Sequence, residues 1–366
     1  MKRLSYICAA ALLSGCVYPY NVVLDQEPSP APVAEGYIVI GGTSTLELRG
    51  AMTMQGVTRL APMASAYIED QNGKRYDSHT YGSYHEFDTE EATAGLSYKM
   101  VFTSDGNVYE SEWLTPVESA PTIEGVKFTA DDSFVYVNLS FSGGEGSTGY
   151  AATQIEETWE FHADYLRQYE YDRGTNTVEA LDEPDDAVYY CWRTFISNRH
   201  QLIDFTETDG HVKDYTIQKF SRYDGRNHRK YSVLVKLRNI PADEYRYRKV
   251  QQDNSTLGGD LFSPDPGEID SNLRCTTNPE AGVLGYVSIC QAVKERYFLD
   301  DRFLLTRDPG GLILLEEDQY ADYDVMGFYP IDYVMVSGVF GVGWGERRCF
   351  DCRAAGGTQV QPDYWL

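Results

Sequence analysis

From residue 36 onward, apolar side chains in this chain recur at every second position, and that period constrains the fold more than any other feature. Tyr37-Ile38-Val39-Ile40 runs into Gly41-Gly42, and Leu46 and Leu48 then alternate with polar neighbours. A period of two belongs to pleated strands with one buried and one wet face. Ala66 to Asp70 leads to a turn at Asn72-Gly73. Tyr98, Met100 and Phe102 alternate up to Asp105-Gly106, with Val108-Tyr109 returning. Asn-Gly and Asp-Gly tolerate the positive φ angles of tight hairpins. The 29 tyrosines suit such half-buried pleated surfaces.

A second, larger unit starts at Phe134-Val135-Tyr136-Val137. Its Gly143 to Gly149 loop reads as a flexible strand connection, and strands are expected at 155–161, 188–195, 231–237, 284–290 and 333–339. One helix is expected, with Pro241 at its first turn, Asp243 and Glu244 facing the positive end of the helix dipole, and an end near Asn254 and Gly258. Pro116 and Pro121 mark the boundary between units. The expectation is an all-β chain of two sandwich-like, immunoglobulin- or fibronectin-like domains, 36–118 and 122–366, the second with a short helix and long loops.

The first sixteen residues carry an address. Lys2-Arg3 is followed by an apolar stretch from Leu4 to Leu13, then by Leu13-Ser14-Gly15-Cys16. That order resembles a lipoprotein signal peptide over 1–15, with Cys16 as the acylated residue. Two or more acyl chains hold a protein firmly on a membrane. Pro19, Pro28, Pro30 and Pro32 make 16–35 read as an extended tether.

The formal net charge is −25. So acidic a body repels phosphate backbones and anionic headgroups, which argues against nucleic acid and against polybasic membrane contact. The one basic island, Arg222 to Lys230, reads as a hairpin tip at Asp224-Gly225, either solvated or touching an acidic partner or a lipid phosphate. Beyond Cys8 and Cys16 five cysteines remain. Cys290 lies in an apolar run and is expected to stay unpaired. Cys191, Cys275, Cys349 and Cys352 are the candidate disulfide residues, with Cys349 or Cys352 expected to join Cys275 or Cys191; zinc and redox use of Cys349-x-x-Cys352 stay open beside that reading. His79 and His85 read as solvated loop residues, and Asp182 to Asp186 as an acidic surface loop. Trp159, Trp192 and Trp344 fall in strand-like runs, where core packing is the default. No residue set with catalytic or metal-ligating spacing emerges, and no cofactor is implied.

Cys16-Val17-Tyr18-Pro19-Tyr20, Tyr231 to Lys236, Asp243-Glu244-Tyr245, Leu261 to Pro264, Val283 to Tyr286 and the tail from Cys349-Phe350-Asp351-Cys352-Arg353 to Pro362-Asp363-Tyr364-Trp365 stand in one order along the chain. In that order they resemble a family of Bacteroidota lipoproteins sharing a domain of unknown function, DUF4249. The resemblance implies an outer-membrane, cell-surface lipoprotein encoded beside a SusC-like TonB-dependent β-barrel transporter. It further implies an accessory role in nutrient uptake and no catalytic residues. The expectation is therefore a non-enzymatic accessory that captures a small-molecule, glycan or peptide ligand or docks on the transporter. The competing readings are a structural or adhesive surface module without a transporter, and a hydrolase whose carboxylates come from distant positions.

Overall fold

The computed structural model describes residues 31–50, 65–117, 119–197, 200–227, 229–256, 271–299 and 311–365. The signal segment, Cys16, most of the tether, Leu261 to Pro264 and His228 lie outside the described residues.

The fold is mainly β. Strands β1 (Pro32–Val39), β2 (Gly42–Gly50), β3 (Ala66–Asp70), β4 (Arg75–Tyr81), β5 (Tyr84–Thr89), β6 (Tyr98–Ser104) and β7 (Asn107–Ser111) open the chain. Next come β8 (Thr122–Ala130), β9 (Phe134–Ser142), β10 (Tyr150–His162), β11 (Arg167–Asp172), β12 (Thr177–Asp185), β13 (Tyr190–Ile196), β14 (Gln201–Asp204), β15 (His211–Ser221) and β16 (Lys230–Asn239). Helix α1 (Ala242–Thr256) follows, then β17 (Leu273–Cys275), β18 (Leu284–Cys290), β19 (Ala292–Phe298), β20 (Ile313–Leu314), helix α2 (Tyr320–Val325), β21 (Phe328–Val336) and β22 (Val339–Glu346). The expected helix is there with its first turn on Pro241, whose carbonyl accepts the Tyr245 N–H.

The first unit is one nine-stranded sheet, in the order β17-β7-β6-β3-β4-β5-β2-β1-β18, curled nearly closed. Residues 271–290, grouped with the second unit by the sequence reading, supply β17 and β18 to it, and β1 begins at Pro32, inside the stretch read as tether. Alternation decides what each strand buries. Ala34, Ile38, Leu46 and Leu48 point into the barrel beside Ile68, Phe87, Met100 and Phe102, while Glu35, Tyr37, Glu47 and Arg49 point out.

The β1–β18 pairing is parallel, and a long crossover through the second unit makes it. Gly285 sits at that seam with φ +107°, and a Cβ there would lie 2.0 Å from the Ala34 carbonyl oxygen, so only glycine fits. On the outer edge of β18, the Asn272 side chain stands in for a strand. Its Nδ2 donates to the Val287 carbonyl at 2.6 Å, and its Oδ1 accepts the Val287 N–H at 3.0 Å. Val287 is fully buried. Asn272→Ala is therefore expected to destabilise the fold by about 1–3 kcal/mol for each orphaned backbone group. Urea unfolding reads this directly, and a loss below about 0.5 kcal/mol, within the range of a neutral surface change, would show the seam is not clasped there.

The second unit is a true sandwich. Sheet β15-β9-β8 faces sheet β13-β10-β16-β19, with β14 also pairing β10. Val135, Val137, Leu139 and Phe141 from β9 meet Tyr231, Val233, Val235 and Leu237 from β16 across its core. A smaller third assembly combines hairpin β11–β12 with sheet β20-β22-β21 around Leu312, Ile331, Cys349 and Phe350. The strand expected over 333–339 turns midway, because Ser337 and Gly338 both take positive φ. Trp344 is fully buried there beside Tyr171 and Tyr320.

Candidate functional site

A cleft of about 1210 Å³ opens between the barrel and the sandwich, with α1 along one side. The barrel wall follows from local alternation. The barrel presents Glu35, Tyr37, Thr45, Glu47 and Arg49, the wet faces of β1 and β2, with Tyr84 from β5. The sandwich presents Gln154 from β10, Gln201 and Leu202 from β14, and Tyr215 and Gln218 from β15. Helix α1 adds Arg248, Gln251, Gln252 and Ser255, a spacing that puts all four on one face.

Behind this wall, α1 docks through a buried ion cluster as well as through stacked tyrosines. Glu244 is fully buried, and its Oε1 accepts from Arg238 Nη1 at 2.8 Å and from Arg248 Nε at 2.6 Å. Arg238 in turn lies over the Tyr37 ring at 5.0 Å. Burial opposes ionisation of Glu244, but the two guanidiniums win and hold its carboxyl down at about 2. In the cleft itself, Arg49 pairs with Glu47 at 3.3 Å and reaches Glu35 at 4.0 Å. Glu35 also accepts from Gln251 Nε2 at 2.8 Å, which ties the helix to the barrel.

His200 sits at the same junction, edge-on to Tyr37 at 6.3 Å. Burial pushes its imidazole down to about 3, with the Arg238 and Arg248 charges adding to the effect. The ring is thus neutral in the folded protein near neutral pH. A folded value below the ordinary imidazole value of 6.5 means stability is full above pH 6.5 and is lost as pH falls toward 3. Glu244 has the same sign over a lower window, from the ordinary carboxyl value of 4.5 down to about 2. Denaturant unfolding between pH 7 and pH 4.5 is expected to lose up to about 1.4 kcal/mol per pH unit, and His200→Gln to flatten that slope. An unchanged slope in the variant would remove His200 as its source.

Across α1 lies a second cavity of about 490 Å³, reached by Asp243, Arg246, Tyr247 and Val250 on another helix face. Trp113 and Tyr286 also line it, and Tyr286 stacks on Tyr247 at 4.7 Å. Trp113 is 49% exposed, more than any of the other four tryptophans.

The cysteines named from sequence separate. Cys191 bonds Cys352, pinning the C-terminal tail to β13, with Cα atoms 5.8 Å apart. Cys349 is a buried thiol in the third core, Cys275 a half-exposed thiol on β17, and Cys290 a buried thiol that burial pushes up to about 11. The Cys349-x-x-Cys352 pair is therefore divided between a core and a disulfide. Among the described residues no group of three His, Cys, Asp or Glu could hold a metal.

Other motifs resolve differently from their sequence reading. His85 is buried on β5, where Ser78 and Thr80 hydroxyls meet its Nδ1 at 3.2 Å, so it is not a solvated loop residue. The basic island is tied inward, with Arg226 on Asp224 and the fully buried Glu157, and Arg229 on Glu160. The tail lies against the outer sandwich sheet, where Trp365 Nε1 donates to Glu160 and the Arg296 guanidinium covers the Tyr364 ring at 3.6 Å. Sequence reasoning missed the cleft glutamines and Trp113. Only the outward phase of β1 and β2 was available to signal one wall.

These features define a mainly-β protein with a polar cleft at a barrel–sandwich junction. The chain belongs to the family that carries the domain of unknown function DUF4249, which matches residues 17–296. No curated protein matches it in sequence. Among solved structures it is similar to Escherichia coli α2-macroglobulin activated by porcine elastase, at 10% identity and a TM-score of 0.20, over 58% of this chain and 18% of that one. The trypsin-activated form of the same protein gives 10% identity and a TM-score of 0.19, over 61% and 15%. A DUF4785 family protein from Legionella pneumophila gives 9% identity and 0.18, over 51% and 54%. The chain thus spans about half or less of each of these proteins, and likenesses this remote carry no argument. Among the described residues no helix is long and apolar enough to cross a membrane.

Proposed function

We propose that this protein is a lipid-anchored, non-enzymatic accessory of a TonB-dependent uptake system at the outer membrane, and that it captures substrate in the barrel–sandwich cleft. The observation that carries the reading is the cleft. Its volume of about 1210 Å³ exceeds what a drug-sized ligand needs, and its lining is polar and aromatic. The lipobox-like Cys16 and the Pro-rich segment after it support attachment at a membrane. An apolar face on hairpin β21–β22, with Tyr333, Met335, Val339 and Phe340 all more than half exposed, supports contact with a protein partner.

The test is a mild-detergent pull-down of the tagged, lipidated protein from its own membranes, followed by mass spectrometry. A stoichiometric β-barrel transporter supports the accessory role. Recovery of the lipoprotein alone, with barrels present in the input, overturns it in favour of a structural or adhesive surface module.

A further inference from the structure

We propose that the cleft takes an uncharged oligosaccharide, whose hydroxyls donate to the side-chain carbonyl oxygens of Gln154, Gln201, Gln251 and Gln252. The inference rests on the reading that the cleft is the capture site, and it adds the class of ligand.

The argument is one of donors and acceptors. Each of these four amides donates its Nε2 to an acceptor of the protein itself. Gln154 donates to the Ser197 carbonyl at 2.8 Å and Gln252 to the His200 carbonyl at 2.9 Å. Gln201 donates to the Ile217 carbonyl, and Gln251 to the Glu35 carboxylate at 2.8 Å. Carbonyls and carboxylates accept only, so the NH₂ end of each amide must face them and the orientation of the group is fixed by chemistry. Among the described residues the four carbonyl oxygens accept no bond, and each NH₂ keeps a second proton, so every amide offers the cleft one acceptor and one donor.

Such a wall suits hydroxyls. A sugar hydroxyl donates its proton to an amide carbonyl and accepts from an amide N–H with the same oxygen, whereas a trans peptide group presents its N–H and its carbonyl on opposite sides. The net charge of −25 repels anions at long range. A cation finds no net charge either, since two carboxylates in the lining, Glu35 and Glu47, are matched by two guanidiniums, Arg49 and Arg248. Tyr84, 52% exposed at the rim, offers an aromatic ring to the apolar face of a sugar. A volume of about 1210 Å³ has room for several linked rings rather than one.

The experiment uses the full mature protein in detergent. It is screened against an array of uncharged α- and β-linked oligosaccharides and, in parallel, against a library of short peptides, with calorimetry on the best binder. The expected result is oligosaccharide binding that weakens at least tenfold in Gln154→Leu, in Gln252→Leu and in Tyr84→Ala. Tyr84 is exposed enough for its variant to fold normally. Trp113→Ala, in the second cavity, should leave binding unchanged. Peptide binding in place of sugar, lost in the same variants, overturns the ligand class and leaves the capture reading standing. Sugar binding lost only in Trp113→Ala moves the site and overturns the inference. Silence from both libraries overturns the inference and the capture reading together.

Discussion

Glu244→Gln is expected to destabilise the protein by about 3–5 kcal/mol, because it leaves two buried guanidiniums without their counter-charge. Arg238 and Arg248 both donate to one oxygen of this carboxylate, which is fully buried. Removing one partner of such a group costs far more than the net worth of the cluster, since desolvation of the remaining charges is no longer offset. The damage should appear first at the junction. Arg238 belongs to β16 of the sandwich, Glu244 and Arg248 to α1, and Ser288 of the barrel lies 3.5 Å from Arg238 Nη1. Chemical denaturation gives the size, and hydrogen exchange at α1 gives the place. A triple change, Arg238→Met, Glu244→Leu and Arg248→Met, should recover much of the loss, as apolar replacements of buried ion clusters can. If the triple variant is as unstable as Glu244→Gln, packing at the junction rather than uncompensated charge is the cause.

Loss of the Cys191–Cys352 bond is the other large effect. The bridge spans a sequence separation of 161 residues. In the chain-entropy picture, opening a loop of that length costs about 5 kcal/mol, the upper end of what single disulfides contribute. Cys191→Ser with Cys352→Ser is expected to lower Tm and to loosen the tail from Arg347 to Trp365 before the cores melt. Alkylation under native conditions checks the assignment. In a chain starting at residue 17, Cys275 should react while Cys290 and Cys349 stay protected by burial, and burial holds both of their thiols above the usual range. A peptide map joining Cys349 or Cys275 to Cys352 would overturn the pairing.

Local pattern and tertiary assembly contributed separately to this fold. The alternation from Tyr37 onward, the Asn72-Gly73 and Asp105-Gly106 turns and the Pro241-Asp243-Glu244 helix start were legible in the chain, because each depends on neighbours within a few residues. Family membership was legible for the same reason, as ordered short motifs.

What lay beyond reach depends on partners far apart along the chain. Nothing near Leu284 announces a parallel partner some 250 residues earlier at Val33, or that Asn272 closes the sheet. The choice of Cys191 over Cys275 follows from where β13 lies, and His85 is buried because β5 turns that face to the core. The cleft is the plainest case. Its residues come from β1, β2, β5, β10, β14, β15 and α1, and Glu35 or Gln251 alone looks like any solvated side chain. Periodicity says which face of a strand is dry; only the packed chain says that two wet faces meet.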